Sequence, residues 1–198
     1  MATEPQRLCV FCGSNSGADP RYRQVASALG ADLATSGYEL VYGGGHVGLM
    51  GVVADAALAA GGPVTGVMTE QLVGLEVAHE GLTTLDIQPS MHARKLRMAQ
   101  LADGIIVLPG GYGTLDETFE ILTWNQLGIE STPVVFLDVE GFFDPLFELI
   151  DKMVSEGFVK DAHGRLAQRT SEPGEAVRLA AQAPTGYIAK WIDDDAQS

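Results

Sequence analysis

Two short stretches carry the residues whose types and spacing suit chemistry. In LPGGYGTLDETFE, 108–120, Gly110, Gly111 and Gly113 precede a helix that holds Asp116, Glu117 and Glu120. Glycines ahead of a helix let backbone N–H groups approach an anion, and the helix N-terminus adds positive potential. Carboxylates beside such a loop need a separate reason. Thr114 and Glu117 form T-x-x-E, a capping box, so Glu117 serves either as a cap or as a catalytic group. The spacing leaves both open. Glu120 falls one turn beyond Glu117 on the same helix face, which is more carboxylate than capping requires.

The second stretch is MHARKLRM, 91–98, with Arg94, Lys95 and Arg97. Met91, Arg94, Lys95 and Met98 follow i, i+3, i+4, i+7, one stripe of a helix. With that stripe turned inward, Arg94 and Lys95 point into a site and need anionic partners, and Arg97 is left to solvent. A stripe through Leu96 and Ala99 is the competing core face. An earlier glycine turn, YGGGHVGLMG at 42–51, matches G-x-G-x-x-G through Gly43, Gly45 and Gly48. It follows the second expected strand, with only Glu70 as a rough ribose-binding acid. It reads as a phosphate or substrate wall, or as a tight turn packed on its helix. His46, His79, His92 and His163 show no metal-ligand spacing, so no metal site is expected. Cys9 and Cys12 resemble a redox pair by spacing, but an odd offset in a strand sends them to opposite faces as small core residues.

These groups must be positioned by alternating strands and helices. Strands are expected at 7–12, 38–42, 63–68, 83–87, 104–109 and 133–138. Helices are expected at 20–36, from the glycine turn to about residue 60, from a Ser90 cap to about 102, and at 114–126, 143–156 and 174–182. Residues 69–83 carry no clear signal. The pattern predicts an α/β, Rossmann-like, doubly wound and mostly parallel sheet with helices on both faces. Ligands of such sheets sit beyond the carboxyl ends of the strands, where every glycine segment named here falls. The 198 residues suit one domain, with a peripheral tail after about residue 184. Net charge is −14, which argues against nucleic-acid polymers and anionic membranes as partners. With no signal-peptide pattern or long apolar run, a cytoplasmic location is expected.

Taken together the motifs resemble the LOG family, cytokinin riboside 5′-monophosphate phosphoribohydrolases often misnamed lysine decarboxylases. The PGGxGTxxE hallmark stands at Pro109–Glu117, M-x-x-R-K at Met91–Lys95, VYGGGxxGLMG at 41–51, FCGSxSG at Phe11–Gly17 and TWxQLGI at 123–129. The match covers about 7–160. The resemblance implies hydrolysis of the N-glycosidic bond of N6-modified adenosine 5′-monophosphates, and of AMP, to free base and ribose 5-phosphate. It implies Arg94 and Glu117 as the catalytic pair. Substrate contacts are implied for Ser14, Gly44, Gly45, Glu76, Met91, Lys95, Gly110, Gly111, Tyr112, Gly113, Thr114, Leu115, Asp116 and Glu120. It implies no cofactor, a nucleoside 5′-monophosphate as small-molecule partner, and a homodimer. Breaking C1′–N9 builds positive charge on the ribose, so carboxylates beside a phosphate loop fit one ligand with two characters. A non-hydrolytic nucleotide carrier or sensor is the alternative.

Overall fold

The computed structural model describes residues 6–75 and 78–183. Strands β1 (Arg7–Phe11), β2 (Glu39–Tyr42), β3 (Val64–Thr69), β4 (Thr84–Gln88), β5 (Gly104–Val107), β6 (Val134–Leu137) and β7 (Ala167–Thr170) form one sheet. Its order is β4-β3-β2-β1-β5-β6-β7, and every neighbouring pair is parallel. The helices are α1 (Pro20–Thr35), α2 (Gly48–Ala59), α3 (Glu70–Leu75), α4 (Met91–Leu101), α5 (Tyr112–Leu127), α6 (Asp144–Ser155), α7 (Asp161–Gly164) and α8 (Pro173–Ala180).

Side chains alternate across the pleat, so each strand feeds two cores. Leu8, Val10 and Cys12 pack with α1, α2 and α8 on one face. Cys9, Phe11, Ile105 and Val107 pack with α4, α5 and α6 on the other. Both cysteines are free thiols buried on opposite faces, and burial pushes both thiols up. Strands buried on both sides must be apolar throughout, as GIIV of β5 is. Each such side chain contributes about 1.5–3 kcal/mol, which fixes β1 and β5 at the centre.

Local signals end the helices. Asp19 caps α1 by accepting from Arg21 N, with Pro20 at the first position. Gly37, at φ 84°, then turns the chain toward β2. Ser90 caps α4 by accepting from Ala93 N. Three elements lie where no strand or helix is expected from sequence: α3, α7 and β7. Strand β7 is an edge strand, AQRT, with no apolar run; its pairing with β6 defines it. Residues 184–198, including the expected peripheral tail, lie outside the described residues.

Candidate active site

The sheet changes direction between β1 and β5. From β1 the chain moves outward through β2, β3 and β4; from β5 it moves the other way through β6 and β7. Loops leaving adjacent strands at such a switch point diverge and leave a crevice. Here the loop after β1 and the loop after β5 are tied together, with Gly13 N donating to Pro109 O at 3.1 Å, while Leu49 N at the start of α2 donates to Gly13 O at 3.0 Å. Between them is a pocket of about 250 Å³ lined by Ser14, Asn15, Tyr22, Pro109, Gly110, Gly111 and Phe142 among others.

Helix α5 opens beside this pocket, and it begins at Tyr112 rather than Thr114. Its cap is Gly111, in extended backbone with no side-chain cap bond. Thr114 is therefore inside the first turn, buried, with its carbonyl accepting from Thr118 Oγ1 at 2.6 Å. Of the two roles the spacing leaves open for Glu117, the capping box does not form. Glu117 turns instead to α4, where Arg94 Nη1 donates to Glu117 Oε1 at 3.0 Å. The other two guanidinium nitrogens donate to backbone: Nε to Val67 O at 2.8 Å and Nη2 to Gly43 O at 3.3 Å. Arg94 is thus held at the ends of β2 and β3 and aimed at one carboxylate. Both side chains are mostly buried, 7% and 15% exposed. Burial raises the Glu117 carboxyl above its ordinary range; Arg94 pulls it down and Asp116 adds to the rise.

Lys95 forms a second cluster. Its Nζ lies 3.1 Å from Asp116 Oδ2 and 3.1 Å from Glu120 Oε2. Burial lowers the Lys95 ammonium, but bonds to Glu120 and Asp116 outweigh it and raise it. Glu120, one turn beyond Glu117 in α5, shares this cation with Asp116. Tyr112, Leu115, Asp116 and Glu120 line a 530 Å³ hollow on the outer side of α5, together with Phe119, Thr123 and Trp124. The methionine stripe of α4 is half realised: Met98 is buried, whereas Met91 is 44% exposed at the helix start. Ala99 of the competing stripe is buried but Leu96 is exposed. Arg97 is partly exposed and bonds Asp86 at 2.8 Å.

The first glycine turn is shaped by its own neighbours. A Cβ at Gly43 would lie 2.5 Å from Arg94 Nη2, one at Gly44 2.4 Å from Met68 Cγ, and one at Gly48 2.3 Å from Ser14 backbone. Gly44 and Gly48 also have positive φ. This is the tight-turn reading, with the turn also supplying the Gly43 carbonyl to Arg94. Gly45 pairs with Ala78 in an isolated bridge. In the second loop, a Cβ on Gly110 would meet Thr114 Oγ1 at 2.1 Å, but Gly111 and Gly113 face open space. Glu76 lies outside the described residues. Among those described, no group of three or more His, Cys, Asp or Glu is placed to hold a metal ion. No helix there is long and apolar enough to cross a membrane.

Sequence reasoning missed the two carbonyls that orient Arg94, since backbone acceptors leave no residue signature. It also missed Tyr22 and Phe142, an edge-to-face pair 5.9 Å apart that walls the pocket, and the contact of His79 Nε2 with Asp55 Oδ1 at 2.9 Å.

Comparison with known proteins adds four findings. The family profile described as "Possible lysine decarboxylase" matches residues 50–180. A probable cytokinin riboside 5′-monophosphate phosphoribohydrolase of Oryza sativa subsp. japonica is 47% identical over 78% of this chain and 69% of its own. Another rice protein named as such a phosphoribohydrolase is 46% identical over 96% of this chain and 78% of its own. Among solved structures, the molybdenum cofactor binding protein of Rippkaea orientalis shares the fold, with a TM-score of 0.67 at 22% identity, covering 90% of this chain and 96% of that one.

Proposed function

The chain belongs to the LOG family of cytokinin riboside 5′-monophosphate phosphoribohydrolases, and we propose that it hydrolyses the N-glycosidic bond of N6-modified adenosine 5′-monophosphates and of AMP. The observation that carries this reading is the Arg94–Glu117 pair, buried beside an uncapped helix N-terminus. The 5′-phosphate is received at the N-terminus of α5, where Gly111 and Gly113 leave room for the ligand to approach the backbone. The ribose then lies toward Glu117. As the C1′–N9 bond lengthens, its electron pair leaves on the base and positive charge builds on the sugar. The Glu117 carboxylate stabilises that charge and orients a water, whose oxygen bonds C1′ as its proton passes to Glu117, while the departing base takes a proton from solvent. Arg94 holds Glu117 in place and favours its ionised form against the effect of burial. Lys95 offsets one of the two negative charges that Asp116 and Glu120 place near the phosphate.

The active unit is taken as a homodimer. Met91 and Leu96 on α4, with Leu127 and Ile129 at the end of α5, are exposed apolar side chains of the kind a second copy covers. Light scattering on the purified protein tests this; a monomer at working concentrations rejects it.

The function is tested by incubating the protein with AMP and, separately, isopentenyladenosine monophosphate, then resolving base from nucleotide by chromatography. Release of free base without added metal or cofactor supports the reading. Tight nucleotide binding with no base released replaces it with the carrier or sensor reading.

A further inference from the structure

We propose that His79 is a positioning residue for the reaction at Glu117, acting through the first glycine turn on Arg94; this rests on the hydrolase reading above. The chain of contacts is continuous. Gly43 O accepts from Arg94 Nη2. The next residue, Gly44, is held by His79, whose backbone N donates to Gly44 O at 3.1 Å. Gly45 pairs with Ala78 beside it. The segment 78–81 is therefore strapped along the turn that supplies one of the two carbonyl anchors of Arg94.

What holds the strap is the His79 ring. It is buried, at 8% exposed. Gly81 N donates to its Nδ1 at 3.0 Å, so that nitrogen carries the lone pair. Nε2 then carries the hydrogen and donates to Asp55 Oδ1 of α2 at 2.9 Å. His46, from the glycine turn itself, stacks edge-to-face on the ring at 5.2 Å. One imidazole thus joins the turn, the strap and α2, and all its polar atoms are used within the chain. It touches neither Arg94 nor Glu117, so its role is to fix the turn that fixes Arg94. The Gly44 turn cannot be rigid on its own account, because its positive φ is one that glycine adopts freely.

The test compares the wild-type chain with His79→Ala, His79→Gln and Asp55→Ala. Substrates are AMP and isopentenyladenosine monophosphate, and kcat, KM, melting temperature and the pH profile are read together. His79→Ala is expected to lower kcat about ten- to hundredfold, the cost of a misplacement near 1 Å, with a smaller change in KM. Glu117 faces Arg94, Lys95 and Asp116; with Arg94 loosened, the acidic limb of kcat/KM is expected to move to higher pH. His79→Gln, whose amide can still donate to Asp55, is expected to recover part of the rate. Asp55→Ala removes only the exposed end of the network and keeps the test available should His79→Ala fail to fold. A lowered melting temperature with unchanged kcat and an unmoved acidic limb overturns the proposal, leaving His79 a packing residue. Exchange of the Arg94 Nη2 hydrogens, which Gly43 O holds, is followed by NMR and separates the two readings. Wild type inert toward both nucleotides defeats the hydrolase, whereas loss of Nη2 protection in His79→Ala upholds the positioning and retained protection defeats it.

Discussion

Arg94 reaches Glu117 with one nitrogen while its other two nitrogens donate to the carbonyls of Val67 and Gly43. Three bonds of different origin fix one guanidinium plane, so the side chain has no freedom to choose another partner. Removing it leaves Glu117 buried without a counter-charge. Arg94→Ala is expected to lose activity and about 3–5 kcal/mol of stability near neutral pH, the stability loss shrinking in acid as Glu117 protonates. Arg94→Lys keeps the charge but cannot span three acceptors, and is expected to recover stability more than rate. Denaturant melts and kcat on both variants check this; equal recovery of both quantities would contradict the geometric role of the guanidinium.

Glu117→Gln retains the shape and can still accept from Arg94, so nucleotide binding is expected to persist. Turnover is expected to fall by about 100-fold or more. Calorimetric titration with AMP beside a base-release assay measures both. A Gln variant that turns over near the wild-type rate would remove Glu117 from the mechanism.

The raised Glu117 carboxyl has two consequences for pH. If the ionised form works, activity falls as pH drops through a value above the ordinary Glu range, so the acidic limb of kcat/KM sits higher than for an exposed carboxylate. For stability the direction reverses. A group raised in the folded state contributes fully below its unfolded value and loses that contribution as pH rises through the folded one. The melting temperature of Glu117→Gln relative to wild type is therefore expected to be more favourable at pH 7 than at pH 4. A constant difference across that range would show that the native site does not perturb Glu117.

Glycines of the PGGYGT loop separate fold from function. Gly110→Ala drives a methyl into Thr114 and Gly13, and about 1–3 kcal/mol of stability is expected to go. Gly113→Ala meets nothing and removes backbone freedom from a helix, so stability is expected to rise by up to about 1 kcal/mol. Its KM for AMP is nevertheless expected to rise, because a methyl stands where the phosphate approaches. Unchanged KM in Gly113→Ala would place the phosphate elsewhere.

Much of the architecture was legible because fully buried strands must be apolar, and the glycine stops fall where the chain turns. Strand β7 was not, since an edge strand of four residues can be polar. The start of α5 was misjudged for a more instructive reason. Thr114 and Glu117 satisfy the local capping pattern, but a guanidinium 23 positions earlier in the chain takes the carboxylate. A local pattern lost to a tertiary charge. The inward turn of Arg94 and Lys95 was readable from their spacing with Met98, while Met91 at the helix end escaped burial because the helix has barely begun there.

Arg94 and Glu117 also meet across the seam of the sheet. Arg94 stands on the helix that packs over β3 and β4, and Glu117 on the helix that follows β5. Each contiguous half of the chain carries one charge of the pair and neither carries both. Two fragments divided at the turn before β5 are expected to be separately inert, with base release reporting their reunion, which would make the enzyme its own complementation sensor.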